Sequence, residues 1–248
     1  MNSKLFVIPK PNPNAKLRLF CFPYAGGSPA IYMPWSSALP PEVELVLLQF
    51  PGRGARMGEV AHVEMQHKVS ELLSHQAFLT EKPYVLMGHS LGSRVIFEVT
   101  KHLVEKNAPL PCHLIASGSR APHTCSVKEP IYDLPHDAFV EELFKLNGTP
   151  KELLQHRELM ELLLPLLRAD FQIAECYQAQ ATRLPCPITV FHGHDDIEIS
   201  TEQLHSWQDL SEHQIDIHYF NGGHFFINQC RDDVVRTVNQ VLGKILQY

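Results

Sequence analysis

Six near-continuous apolar runs punctuate the chain, and between them the apolar residues spread out to helical spacing. The runs are LRLFCF (17–22), VELVLLQF (43–50), PYVLMG (83–88), HLIASG (113–118), PITVFHG (187–193) and IDIHYF (215–220). A strand covered on both faces has no polar alternate positions, so runs of this kind predict central strands of a mostly parallel sheet. Between them, Met65, Val69, Leu72 and Leu73 follow the i, i+4, i+7, i+8 rule, as do Val234, Val238, Val241, Leu242 and Ile245 near the end. Strands alternating with amphipathic helices define an α/β class with helices on both sheet faces. No internal repeat or low-complexity tract interrupts the pattern.

The alternation fails once. From Gly118 to Pro187 no strand-like run occurs, and the interval predicts a helical insertion over about 127–180. LPHDAFVEELFKLNG ends at Gly148, a residue suited to a helix C-cap. TPKELLQHRELMELLLPLLRADFQIAECY opens on a Thr149-Pro150 start signal and meets Pro165, expected to kink or end the helix. An insertion late in such a sheet is where a lid over an active site sits. Leu159, Leu162, Leu163, Leu166 and Leu167 either pack it against the body or face a ligand, and the two roles are compatible.

Composition narrows the class. At 248 residues and 44% apolar, the chain predicts one domain over 1–248. A net charge of −6 without a run of Lys or Arg removes the electrostatic footprint of a nucleic-acid binder. The apolar run before Pro9 is too short for a signal-peptide core and no later segment reaches spanning length, so a cytoplasmic location without membrane contact is expected. Cys21, Cys112, Cys125, Cys176, Cys186 and Cys230 form no C-x-x-C pair, which predicts reduced, mostly buried thiols.

The candidate chemistry begins at MGHSLGS (87–93). Gly88-His-Ser90-Leu-Gly92 directly follows a strand and precedes the helical run RVIFEVTKHLVEK. G-x-S-x-G alone is common by chance. Between a strand and a helix it describes a nucleophile elbow, where small residues two before and two after the serine let the backbones approach. A serine hydroxyl needs a base, and the base needs an orienting group. With this elbow the chain order is serine, acid, histidine, each on a loop after a strand. NGGHFF puts His224 in the loop after the last strand, the place of the base; His89 lies inside the turn and reads as structural, and His192 and His194 come too early. In FHGHDDIE (191–198) the spacing from Gly193 favours Asp196 as the acid over Asp195, one residue short. The same stretch as a metal site lacks a second ligand cluster. An oxyanion hole would draw on the backbone N–H of Leu91 and on CFPYAGGSP (21–29), with Ala25 as donor and Gly26 and Gly27 allowing close approach. Arg53, Arg56 and Arg168 read as charges pairing locally to hold loops.

Taken together, FCFPYAGGSPAIYMPW (20–35), LLQFPGRGAR (47–56), MGHSLGS, SGSRAP (117–122), LNGTPKELL (146–154), LLPLLRADFQIAECY (163–177) and GGHFF (222–226) make the chain resemble the stand-alone type II thioesterases of polyketide and non-ribosomal peptide synthesis. The animal medium-chain fatty-acid thioesterase is a close cousin. The resemblance runs from about residue 16 and implies an α/β-hydrolase with a helical lid. It implies release of acyl groups from the phosphopantetheine thiol of an acyl or peptidyl carrier protein, chiefly stalled or wrong units. By position it implies Ser90 as nucleophile, Asp196 as acid, His224 as base and Ala25 with Leu91 as oxyanion donors. A monomer with no bound cofactor or metal is expected. Leu91 stands where Met is common, and Ile197 where Pro is frequent. A thiolate leaves readily, so a Ser-His-Asp site beside a dry, apolar acyl pocket suffices. The competing readings are a general carboxylesterase or lipase and a non-catalytic binding relative; the intact Ser90, Asp196 and His224 speak against the latter.

Overall fold

The computed structural model describes residues 3–126, 128–146, 148 and 156–247. Its centre is a seven-stranded sheet: β1 (Phe6–Val7), β2 (Leu17–Phe22), β3 (Val43–Leu48), β4 (Tyr84–His89), β5 (His113–Ser117), β6 (Ile188–Gly193) and β7 (Asp216–Phe220). They lie in the order β1-β3-β2-β4-β5-β6-β7, with β1 antiparallel to β3 and every other pair parallel. The apolar runs exist because alternate residues serve two cores. Leu17, Leu19 and Cys21 of β2 face a core with Val85, Met87 and Val238, while Phe20 and Phe22 face another with Leu86, Val95 and Val69. Each such side chain withdrawn from water contributes about 1.5–3 kcal/mol.

Among the described residues the α-helices are α1 (Met65–Leu73), α2 (Gln76–Leu79), α3 (Leu91–Glu105), α4 (His136–Leu146), α5 (Arg157–Cys176), α6 (Thr201–His205), α7 (Phe226–Gln229) and α8 (Arg231–Leu246). Of these, α4 and α5 occupy the interval between β5 and β6. They share a small core of Phe139, Leu143, Met160, Leu164 and Leu167.

Several expectations change. β1 was not foreseen, since two residues carry no periodicity. β7 is an edge strand and only Phe220 in it is fully buried, so it is not covered on both faces. Helix α5 runs through Pro165 without ending; that residue is exposed, so the carbonyl it leaves unbonded one turn earlier, on the likewise exposed Glu161, faces water. Leu159 and Leu162 are exposed, whereas Leu166 and Leu167 are buried. The Thr149-Pro150 start signal, and most of LNGTPKELL, lie outside the described residues. Only Cys21 and Cys186 are buried; all six cysteines are free, and Cys112, Cys125 and Cys176 are exposed. Among the described residues no helix is long and apolar enough to cross a membrane.

Candidate active site

β4 ends at His89 and α3 begins at Leu91, so Ser90 must reverse the chain alone. It does so at φ 53°, ψ −113°, a strained conformation for a residue with a Cβ. Three contacts hold the turn. Ser90 N–H donates to Ser117 O at 2.8 Å, and the Ser93 hydroxyl, with one hydrogen to share, lies 2.7 Å from Gly88 O and 3.0 Å from Ser117 O. A Cβ on Gly88 would come within 2.2 Å of the Gly92 backbone, and one on Gly92 within 2.2 Å of Phe22 O. The two glycines are therefore required by backbone approach.

The loops after β6 and β7 bring the other groups to the serine. Asp195 N–H donates to Gly222 O at 2.9 Å and His194 N–H to Phe220 O at 2.8 Å, tying the two loops together. His224 Nε2 lies 3.0 Å from Ser90 Oγ, and His224 Nδ1 lies 2.9 Å from Asp196 Oδ2. A carboxylate only accepts, so Nδ1 carries the proton toward Asp196 and Nε2 is left with a lone pair for the Ser90 hydroxyl. Asp196 is buried, and its Oδ1 accepts the Glu198 N–H at 2.9 Å. Burial alone would raise its carboxyl, but the bond to His224 and the Glu198 amide outweigh it and lower its pKa below the usual value. Asp195 is exposed and its contact is through the backbone, so Asp196 is the aspartate on the imidazole. Such a chain can take a proton from a hydroxyl and return it to a leaving group.

The remaining candidates fall elsewhere. His89 is buried and bridges Ser117 Oγ at 2.8 Å and the His224 carbonyl at 2.9 Å. His192 is buried within β6, and His194 stacks on Tyr219. Among the described residues no group of three or more His, Cys, Asp or Glu is placed to hold a metal ion.

Ser90 and His224 open onto a cavity of about 210 Å³, which Ala25 also lines. Leu91 is the first residue of α3. The insertion contributes Leu143, Leu167, Phe171 and Ala174 to the wall. Where a dry, apolar pocket was expected, Arg94, Arg120 and Glu175 line the cavity beside the apolar residues. Burial and the neighbouring Arg120 push Arg94 down to about 9.

Sequence reasoning missed one group beside the site. Asp170 on α5 is 0% exposed and accepts from Lys68 Nζ at 2.9 Å, from Arg53 Nη2 at 3.0 Å and from the Gly26 N–H at 2.8 Å. Burial would raise this carboxyl, but Lys68 and Arg53 hold it well below the usual carboxylate range. Only the unusual sequence of an Asp within the apolar face of LLRADF signalled it. Arg56 pairs with Glu59 and Glu71, whereas Arg168 bonds the Tyr132 carbonyl and covers the Phe139 ring without an ion pair among the described residues.

A mostly parallel sheet with a serine in a strained strand-to-helix turn, and an aspartate and a histidine on loops after later strands, defines the α/β-hydrolase class. Within it, the chain belongs to the thioesterase family: the model described as "Thioesterase domain" matches residues 17–242. It is a hydrolase acting on thioesters. The chain is 35% identical to the gramicidin S biosynthesis protein GrsT of Aneurinibacillus migulanus, over 98% of this chain and 96% of that one. Among solved structures it is similar to ClbQ from the colibactin NRPS/PKS pathway, at TM-score 0.85 and 34% identity over 93% of this chain and 98% of that one. It is also similar to BorB, the type II thioesterase from the borrelidin biosynthetic cluster, at TM-score 0.86 and 28% identity over 95% and 96%.

Proposed function

We propose that this chain is a type II thioesterase of a polyketide or non-ribosomal peptide pathway, releasing acyl groups from the phosphopantetheine thiol of carrier proteins. The observation that carries the reading is the hydrogen-bonded chain Ser90–His224–Asp196 at the mouth of one cavity. Ser90 Oγ attacks the thioester carbonyl while its proton passes to His224 Nε2. The resulting oxyanion is met by the N–H groups of Ala25 and Leu91, each worth on the order of 3 kcal/mol at the transition state. Collapse expels the pantetheine thiolate, which takes the proton from His224. Water then attacks the acyl-serine ester with His224 as base; collapse breaks the acyl–Oγ bond, His224 returns the proton to Ser90 Oγ, and the free acid leaves. Asp196 keeps the imidazole in the tautomer that can accept and stabilises the imidazolium. The mixed wall, Leu143 and Phe171 beside Arg94 and Glu175, suits acyl groups that carry polar as well as apolar parts.

The test compares hydrolysis of acyl-phosphopantetheinyl carrier protein with the matched simple ester. A clear preference for the carrier substrate is expected, with turnover lost in Ser90→Ala and reduced roughly 10⁴-fold in Asp196→Asn, by analogy with wrong-tautomer variants of the serine triad. Asp195→Asn should stay near wild type, and a chelator should have no effect. Equal rates on both substrates would mean a general esterase; an active Ser90→Ala would remove the mechanism.

A further inference from the structure

The loop after β2 carries Ala25, and its conformation is imposed from outside. Gly26 sits at φ +73° with its N–H on Asp170 Oδ2, and Arg53 Nη1 donates to the Gly27 carbonyl at 2.9 Å. Leu167, three residues before Asp170 on α5, packs so closely that a Cβ on Gly26 would lie 2.4 Å from its Cδ2. Arg53 and Lys68 are 3% and 1% exposed, and neither they nor Asp170 line the cavity. Burying ions costs several kcal/mol each, and well-packed apolar residues would join α5 to the body as well or better. What a leucine at 170 lacks is an acceptor for the Gly26 amide. The Lys68 hydrogen bond goes to Asp170 and not to the loop: it supplies the second charge on Asp170 and lies over the Phe50 ring.

We propose that Asp170 and Arg53 are positioning residues that clamp residues 25–27, so that the Ala25 N–H points at the developing oxyanion. The insertion helix α5 and this loop then move as one unit, and α5 sets a donor's direction as well as walling the cavity. The inference rests on the reading of Ala25 as an oxyanion donor.

Asp170→Ala leaves two buried cations without a counter-ion and is expected to compromise folding, so the test rests on other variants. Arg53→Met removes the grip on Gly27 yet leaves a balanced Asp170–Lys68 pair. Arg53→Lys keeps the charge but offers one head group for two acceptors, and should fold like the wild type. Lys68→Met removes a charge of the same cluster and leaves the clamp. Each is assayed for kcat and KM on butyryl-phosphopantetheinyl carrier protein, with Tm recorded. A donor displaced by about 1 Å predicts a kcat loss of roughly 10- to 100-fold in Arg53→Met, smaller in Arg53→Lys, with KM within about two-fold. Lys68→Met should keep its kcat although its Tm falls as far as that of Arg53→Met. If Arg53→Met or Arg53→Lys keeps kcat within about two-fold of wild type, or Lys68→Met loses as much as Arg53→Met, the clamp is only structural and the proposal is overturned. Ser90→Ala in the same assay separates the levels: activity retained there removes the proposed mechanism, and this inference with it.

Discussion

His89, next to Ser90 in sequence, has its protonation fixed by two contacts. The His224 carbonyl can only accept, so Nε2 of His89 carries the hydrogen and Nδ1 accepts from the Ser117 hydroxyl. Burial, then the nearby His224, push its pKa from 6.5 down to about 3. Between these values the unfolded chain binds the proton more readily, so stability rises with pH across that window. The contribution is complete above the unfolded value and is lost progressively as pH falls toward about 3. One such group gives a slope of up to about 1.4 kcal/mol per pH unit. His113, pushed to about 4, titrates in the same window, so the difference between proteins is the measure. His89→Gln, which still offers an N–H toward the carbonyl, should show a shallower loss of stability between pH 7 and 5 in urea denaturation than the wild type. Identical slopes would mean that His89 is not held neutral. The sequence marked Ser90, Asp196 and His224 as candidates because each follows a strand, and loops after parallel strands converge on one edge. It could not assign hydrogen bonds to His89, whose partners lie 28 and 135 residues away.

At the scale of elements, the β4–Ser90–α3 turn is closed by backbone packed against backbone. Gly88→Ala and Gly92→Ala each drive a Cβ to 2.2 Å from backbone, where no rotamer change relieves it. Each should destabilise the fold by about 3 kcal/mol or more, or prevent soluble expression. Gly243, within α8, is the opposite case: nothing lies within 4 Å of an added Cβ. Gly243→Ala should stabilise by roughly 0.4–1 kcal/mol through the unfolded chain, raising Tm by about 1–4 °C. Equal melting temperatures for Gly88→Ala and the wild type would contradict the close approach. Central strands were legible because both their faces are apolar, and β7 misled because an edge strand can carry the same apolar string while facing water. Pro165 did not end α5 because an exposed helix face tolerates the lost hydrogen bond. The Asp170 cluster was illegible because its partners Arg53, Lys68 and Gly26 stand 117, 102 and 144 residues away.

At the scale of the whole molecule the relevant quantity is charge. Carrier proteins tend to be acidic, so under the proposed function a protein of net charge −6 approaches a partner of like sign. Repulsion of this kind reaches about 30 Å at 0.01 M salt and only about 8 Å at 0.15 M. KM for an acyl-carrier substrate should therefore fall several-fold as salt rises between these limits, with kcat unchanged once substrate saturates. A small acyl-N-acetylcysteamine thioester is neutral, and its KM should stay constant over the same range. A carrier KM that climbs with salt would show that a local cationic patch outweighs the net charge at the docking face. Equal salt responses for carrier and small substrate would place the effect in the active site and not in the encounter.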